Sequence, residues 1–132
     1  MKIVVDTAVI IAVIANEPER DRLIDLTRGV DLIAPNSVHW EIGNAFSAML
    51  KRKRISLEAA LKAIEVYRKI TISYVEIDLE KSLKIAQQLS LYAYDAYLIN
   101  CALTYKSSLI SLDQNLITYA KKMHVKIIEV QK

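Results

Sequence analysis

The sequence contains little of the chemistry that marks several large classes of protein. Its single cysteine, Cys101, cannot form an intrachain disulfide, so the chain is not a secreted disulfide scaffold and a cytoplasmic location is expected. Glycine and proline each occur only twice in 132 residues, which argues against collagen-like repeats, flexible linkers and disordered tails. The two glycines, Gly29 and Gly43, cannot form a glycine-rich phosphate loop.

No strong charge imbalance or long apolar run assigns the chain to a particular partner or to a membrane. The 18 basic and 15 acidic residues give a net charge of +3, which permits a polyanionic partner without requiring one. The apolar stretch at residues 3–15 is interrupted by Asp6 and Thr7 and is shorter than the roughly 20 residues of a membrane span. It also lacks a convincing cleavage site, so neither a membrane segment nor a signal peptide is expected.

The composition is that of one folded domain. A chain of this length, with 53% apolar residues, can bury roughly two thirds of its unfolded surface. Segments rich in Ile and Val alternate with segments of helical period, which is typical of a mostly parallel sheet covered by helices on both faces. Residues 8–15 are apolar all round, so a helix and a buried strand both remain open there. We expect a single α/β domain over residues 1–132, with strands at residues 2–6, 31–34, 72–77, 108–112 and 125–130.

Two aspartates follow predicted strands and immediately precede predicted helices. Asp6 ends the first strand, and Asp113 follows the strand at residues 108–112. Because parallel strands end at the same edge of a sheet, where ligands of such folds bind, these two carboxylates are expected to lie near each other. The alternative is that each one only caps its helix, as we expect for Asp78, which also stands between a strand and a helix.

Two further acids, Glu41 and Asp95, lie beside apolar positions of predicted helices, where a carboxylate loses hydration unless something compensates. Asp95 is in the first turn of its helix, so a favourable interaction with the helix N-terminus is the alternative explanation. If these acids converge with the two at strand ends, their repulsion requires protons or a cation at neutral pH. We expect Mg²⁺ or Mn²⁺, which prefers oxygen ligands, activates water and stabilises charge on a phosphoryl oxygen.

Four short motifs occur in order along the chain. They are Asp6-Thr7 after the first predicted strand, Glu41-x-x-Asn44 on a helix, Tyr94-Asp95-Ala96-Tyr97-Leu98, and Ser111-Leu112-Asp113 after a late strand. Each motif alone is weak, but in this order and spacing they resemble the PIN-domain family. Within that family the chain is similar to the VapC-type toxins of toxin–antitoxin pairs, and the resemblance covers essentially its whole length.

The resemblance implies a fold, an activity and a set of partners. It implies a three-layer α/β/α fold with a central parallel five-stranded sheet, an endoribonuclease activity on RNA, a homodimer and a cognate antitoxin protein. Ser111 stands where many relatives have Thr, and both residues carry a hydroxyl. Asn115 stands where many relatives have a further acid, so the resemblance does not decide whether a second metal ion binds. The implied Mg²⁺ site consists of Asp6, Glu41, Asp95 and Asp113, supported by Thr7, Asn44 and Ser111.

Several other features each have two interpretations. The basic run at residues 51–54 can bind RNA phosphates, although solvation at a helix C-terminus is the commoner use. Four tyrosines can stack on bases, but their helical spacing favours core or dimer packing, and Trp40 fits either use. These tyrosines are Tyr92, Tyr94, Tyr97 and Tyr105. His39, His124 and Cys101 lack zinc-site spacing, so His39 is expected on a helix surface and Cys101 in the core.

Other functions that place acids at strand ends fit less well. A phosphatase of this kind needs an acid two residues after Asp6, where Ala8 stands, and a receiver domain needs paired acids where the sequence has Val5-Asp6. An RNA-processing nuclease outside a toxin–antitoxin pair remains an alternative. So does a catalytically inactive interaction module of the same family, although the presence of all four acids favours an active enzyme.

Overall fold

A parallel sheet between helices forms the core of the computed structural model, which describes residues 1–130. Within these residues the sheet has four strands: β1 (Lys2–Val5), β2 (Asp31–Pro35), β3 (Ile72–Val75) and β4 (Ser108–Ile110). They lie in the order β3-β2-β1-β4, and all three pairings are parallel. The side chains of Ile3, Val4 and Val5 are buried, as expected for a central strand covered on both faces.

Helices connect the strands and cover the sheet. In the described part of the chain they are α1 (Thr7–Ile14), α2 (Arg20–Thr27), α3 (Ser37–Lys51), α4 (Leu57–Arg68), α5 (Leu79–Leu89), α6 (Ala93–Thr104) and α7 (Gln114–Lys122). Helix α6 packs on β1, β2 and β4 and is covered by α5, whereas α1 packs against α2, α3 and α4. None of the helices in residues 1–130 combines the length and apolarity needed to cross a membrane.

The apolar segment after Asp6 is a helix, which decides between the two structures that its sequence allowed. Val9, Ile10, Ala12 and Ile14 of α1 are all buried, so the helix is enclosed by its neighbours on more than one side. A helix enclosed in this way needs no polar face, and this is why its sequence shows little periodicity.

The expected fifth strand at residues 125–130 does not form within the described residues, so the prediction of a five-stranded sheet is wrong in that detail. The segment makes one parallel bridge, between Leu109 and Ile127. The Leu109 amide donates to Lys126 O and the Ile128 amide donates to Leu109 O, both at 2.9 Å. Because β4 has only three residues, it offers little backbone with which a longer strand could pair.

Candidate acidic active site

An open cleft of about 820 Å³ lies beyond the carboxyl ends of β1 and β4. Ligands of parallel α/β folds commonly bind at this edge of the sheet. Six of the seven side chains singled out from the sequence line the cleft, and the seventh, Ser111, is buried and hydrogen-bonded to one of them. The six are Asp6, Thr7, Glu41, Asn44, Asp95 and Asp113.

Asp6 is the most buried of the four acids, with 9% of its surface exposed. Its backbone amide donates to Ile110 O at 3.2 Å, and its Oδ2 accepts a hydrogen bond of 2.7 Å from Ser111 Oγ. Although Asp6 occupies the N-cap position of α1, its side chain makes no capping hydrogen bond within residues 1–130. The interpretation of Asp6 as a simple helix cap is therefore wrong.

Ser111 and Asp113 connect the end of β4 to this carboxylate. The Ser111 hydroxyl donates to Asp6 and accepts a hydrogen bond of 3.0 Å from the Asp113 amide. Asp113 Oδ1 accepts from the Asn115 and Leu116 amides at 2.9 and 3.3 Å, so Asp113 does cap α7 while it also lines the cleft. One buried hydroxyl thus fixes the relative positions of two of the acids.

Replacing Ser111 by Ala is expected to destabilise the protein by about 1–3 kcal/mol, because it leaves one buried carboxylate oxygen and one amide without their partner. Thermal unfolding of the variant without added metal measures this effect. Ser111→Thr keeps the hydroxyl and is expected to retain most of the stability. Equal stability of the Ala variant and the parent would contradict the proposed linkage.

Glu41 enters the cleft from α3, opposite Thr7. Its Oε2 atom is buried, as are Thr7 Oγ1 and Ser37 Oγ, and within the described residues none of these three oxygens has a hydrogen-bond partner. The two hydroxyls nevertheless lie close enough to stabilise the Glu41 carboxylate, so the three oxygens form one polar cluster at the cleft whose hydrogen bonding a ligand can complete. Ser37, which none of the four motifs includes, precedes Glu41 by one helical turn and so shares its face.

Burial and neighbouring acids raise the pKa of three carboxyl groups in the cleft, those of Asp6, Glu41 and Asp95. Burial raises the pKa of Glu41 to about 7, the charges of Asp6 and Asp95 add to the rise, and the Thr7 and Ser37 hydroxyls oppose it. Burial is also the main cause that raises the pKa of Asp6, opposed by Ser111 and the Thr7 amide and reinforced by Asp113 and Asp95. Burial and then Asp113 raise the pKa of Asp95. The carboxylates are therefore close enough to repel one another, as clustering predicts.

The donor set of the cleft suits a hard cation. Within residues 1–130, no group of three or more Asp, Glu, His or Cys side chains is arranged to hold a metal ion, so the protein alone offers no closed cage for one. Mg²⁺ rarely uses such a cage, since it is usually bound through one or two carboxylates and keeps several waters. The unpaired Glu41 oxygen and the Asp6 carboxylate provide oxygen ligands of this kind, so the residues present fit Mg²⁺.

Of the other residues discussed from the sequence, some line the acidic cleft and others have structural contacts elsewhere. Residues 51–54 are exposed at the end of α3 and outside the described lining of the cleft. Tyr94 lines the cleft and meets Tyr97 edge-on, with ring centroids 5.9 Å apart. The Tyr105 hydroxyl donates to Glu76 O at 2.9 Å, which is a structural contact, and Cys101 is buried as expected.

Solved structures share this fold. The chain is similar to PAE2754 from Pyrobaculum aerophilum, with a TM-score of 0.73 and 21% identity over 96% of this chain and 83% of that one. It is similar to VapBC2 from Rickettsia felis, solved bound to a DNA fragment from their promoter, with a TM-score of 0.66 and 11% identity over 97% and 98% of the two chains. A PilT N-terminus domain protein from Sulfolobus solfataricus gives a TM-score of 0.52 and 14% identity over 98% and 87%. No curated protein matches the sequence.

A family model supplies the assignment that these distant structures cannot. The model for the PIN domain matches residues 3–122, a segment that contains every acid of the cleft and the strands that position them. PIN domains are in general nucleases, which supports a nuclease role. The sequence match and the shared fold agree with the resemblance found in the four motifs, and the chain belongs to the PIN-domain family.

Proposed function

We propose that this chain is a metal-dependent endoribonuclease and the toxin of a VapBC-type toxin–antitoxin pair. The observation that carries the nuclease proposal is the cleft in which Asp6, Glu41, Asp95 and Asp113 converge beside unpaired hydroxyls. Membership of a family whose members are in general nucleases supports it. RNA is proposed as the substrate because the four motifs resemble those of VapC-type toxins.

The side chains of the cleft have distinct roles in this proposal. Asp6, Glu41, Asp95 and Asp113 would hold Mg²⁺, or Mn²⁺ as a substitute, one or two of them directly and the others through the waters that the cation keeps. The cation would supply charge stabilisation at the phosphoryl oxygens and an activated water. Ser111 keeps the Asp6 carboxylate in one orientation through its hydrogen bond of 2.7 Å. Without metal the pKa of Glu41 is raised to about 7, and a bound cation would favour its ionised form, in which it can act as a ligand.

Thr7 and Asn44 complete the cleft in this proposal. The Thr7 hydroxyl is buried and, within residues 1–130, unpaired, and Asn44 lies on the same wall one helical turn after Glu41. Both side chains can donate hydrogen bonds, which the carboxylates cannot do when ionised. They are therefore the groups we expect to orient the scissile phosphate against the acids.

The proposed protein partners follow from the toxin assignment, which similarity to VapBC2 over 97% of this chain supports. A short antitoxin would dock an amphipathic segment beside Ile11 and Tyr94, which line the cleft, and its Arg or Lys would pair with the carboxylates. Exposed leucines on α4 and α5 support a homodimer. Light scattering and co-purification from the native source test both partners, and a monomer that purifies alone would argue against them.

The nuclease proposal is tested by incubating the purified protein with a panel of labelled RNAs in Mg²⁺, in Mn²⁺ and in EDTA. We expect internal cleavage of at least one RNA with either metal and none in EDTA, because the metal neutralises the acids and stabilises the phosphoryl charge. Single-stranded DNAs of the same sequences serve as the control for substrate class. Cleavage that persists in EDTA, or a panel left intact in Mg²⁺, would count against the proposal.

A further inference from the structure

A second pocket, of about 420 Å³, adjoins the acidic cleft and shares Trp40 with it. Four rings line this site, which we call the aromatic pocket: His39 and Trp40 from α3, Tyr67 from α4 and Tyr74 from β3. The His39 ring meets the Trp40 ring edge-on at 4.8 Å between centroids. It also lies 5.7 Å from the ring of Tyr67 and 5.6 Å from that of Tyr74.

Hydrogen bonds hold three of these rings in place. The hydroxyls of Tyr67 and Tyr74 are bonded to each other, and the Tyr67 hydroxyl shares a hydrogen bond of 2.8 Å with His39 Nδ1. Burial and then the bond to Tyr67 raise the pKa of Tyr74 well above its ordinary value, so its hydroxyl is neutral at neutral pH. The chain of bonds ties α3, α4 and β3 together, and the pocket wall is therefore formed before any ligand arrives.

Hydrogen bonds account for the positions of three of the rings but not for that of Trp40. Tyr67 is 8% exposed, whereas Trp40 is 75% exposed although its edge touches His39. Its indole ring stands at the junction of the aromatic pocket and the acidic cleft, since it lines both. A planar surface is therefore presented to solvent directly beside the four carboxylates.

The two sites differ in charge. The cleft contains four acids, whereas no acid is found among the described residues that line the aromatic pocket, and Arg68 lies at its edge. A ligand that suits this wall has a flat, uncharged face for the rings and an anionic group for the guanidinium. A nucleotide has both, and the side-chain amide of Asn36, also in the wall, can hydrogen-bond the edge of a base.

We infer that the aromatic pocket binds an unpaired nucleobase of the RNA strand whose backbone crosses the acidic cleft, with Trp40 stacking on the base and Arg68 contacting a phosphate. Stacking on aromatic side chains is the usual means of holding single-stranded nucleic acid. A base within a duplex already stacks on its neighbours, so the strand must be single at this point. This inference rests on the proposed function, because it places the base next to the bond to be cut.

Trp40 is the only tryptophan in the chain, so its fluorescence reports on this site alone. Titration of Asp6→Asn in Mg²⁺, with uridine and adenosine RNA octamers, measures binding while the cation offsets the remaining acids and cleavage is suppressed. We expect quenching of the indole emission by a single-stranded octamer and none by a longer, G·C-rich RNA duplex that stays paired under the same conditions, since only unpaired bases can stack on the ring. Unchanged emission with both single-stranded octamers would overturn the inference.

Variants separate stacking from other effects, with binding measured by anisotropy of a labelled octamer. Trp40→Ala is expected to weaken binding roughly 5- to 150-fold, the equivalent of about 1–3 kcal/mol for one stacked base, and Trp40→Phe to retain most of it. Arg68→Gln is expected to weaken binding and to flatten its salt dependence. The control is Tyr92→Ala, which removes an 89% exposed ring outside the described lining of both sites and is expected to bind normally.

Cleavage in Mg²⁺ distinguishes failure of this inference from failure of the proposed function. If the parent cuts RNA and Trp40→Ala binds and cuts it equally well, the aromatic pocket is not a base site although the nuclease proposal stands. If the parent cuts no RNA but binds the octamers through Trp40, the nuclease proposal fails and the base site stands. Loss of antitoxin binding with unchanged RNA binding in Trp40→Ala would assign the pocket to the protein partner and overturn the inference.

Discussion

Asp6→Asn is expected to lower metal-dependent RNA cleavage by at least about 100-fold while the chain still folds, because the charge that holds the cation is worth several kcal/mol in the transition state. Asp6 is buried at the end of β1 and accepts a hydrogen bond from the Ser111 hydroxyl. Its charge also raises the pKa of Glu41. Asn keeps the shape and one acceptor oxygen for the Ser111 hydroxyl. Single-turnover cleavage of an RNA cut by the parent measures the loss, and circular dichroism checks the fold.

Asp78 provides the matched control for this experiment. It also follows a strand and precedes a helix, but its side chain accepts a hydrogen bond from the Glu80 amide and it lies outside the described lining of the cleft. Asn caps helices about as well as Asp, so Asp78→Asn is expected to keep both stability and activity. Equal activity of Asp6→Asn and the parent, or equal loss in both variants, would remove the case for Asp6 as a metal ligand.

The three aspartates between strands and helices show what sequence can and cannot predict. Their placement at one sheet edge follows from parallel strands, and this predicts that Asp6 and Asp113 approach each other. Their side chains nevertheless behave differently: Asp78 is only a cap, Asp113 both caps α7 and lines the cleft, and Asp6 makes no capping bond within residues 1–130. Local sequence is alike in all three, because the difference depends on contacts such as that of Asp6 with Ser111, 105 positions away.

The fold was predictable where a segment's own pattern determines its structure. The amphipathic helices and buried strands follow from hydrophobic period, whereas α1 was ambiguous because burial on several sides removes that period. Residues 125–130 have the composition of a strand, but they can pair only with β4, which is three residues long. The sequence pattern predicts which secondary structure a segment prefers. It does not predict the length of the neighbouring strand with which that segment must pair.

The aromatic pocket was not predictable from the sequence at all. His39 was expected on a helix surface, and it is exposed there, but its neighbours Tyr67 and Tyr74 come from α4 and β3. They meet because β3 pairs with β2 at one side of the sheet and so places Tyr74 beside the start of α3. No spacing of three or four residues marks such a cluster, and only the tertiary fold brings its members together.

In EDTA the free energy of unfolding of the parent is expected to fall as the pH rises from about 4.5 to about 7. The pKa of Glu41 is raised from 4.5 to about 7 by burial and then by Asp6, so between these values the folded chain holds a proton that the unfolded chain has lost. The stabilisation that comes from this proton is complete at pH values below the pKa of Glu41 in the unfolded chain. It is lost as the pH rises to the pKa of Glu41 in the folded chain. The pKa values of Asp6 and Asp95 are raised as well, which adds to the fall.

Glu41→Gln is expected to remove most of this loss, so that in EDTA the variant is more stable than the parent at about pH 8 and similar to it at about pH 4.5. The Thr7 and Ser37 hydroxyls, which stabilise the Glu41 carboxylate, can also donate to the amide oxygen of Gln, so the substitution leaves them an acceptor. The full pKa rise corresponds to about 3 kcal/mol, which solvent in the open cleft reduces to about 1–2 kcal/mol. For a chain of this size the melting temperature should rise by roughly 3–8 °C.

Mg²⁺ should reverse the order of stability. It binds the folded parent and is expected to add about 2.7 kcal/mol at a hundredfold excess over its Kd, whereas the Gln variant has lost a ligand and should gain less. Glu65→Gln, at an exposed position of α4, removes the same charge outside the described lining of the cleft and should show neither effect. Thermal unfolding of the three proteins in EDTA and in Mg²⁺ decides the matter. A Glu41 variant with no gain in EDTA and an undiminished response to Mg²⁺ would show that Glu41 neither repels the other acids nor binds the cation.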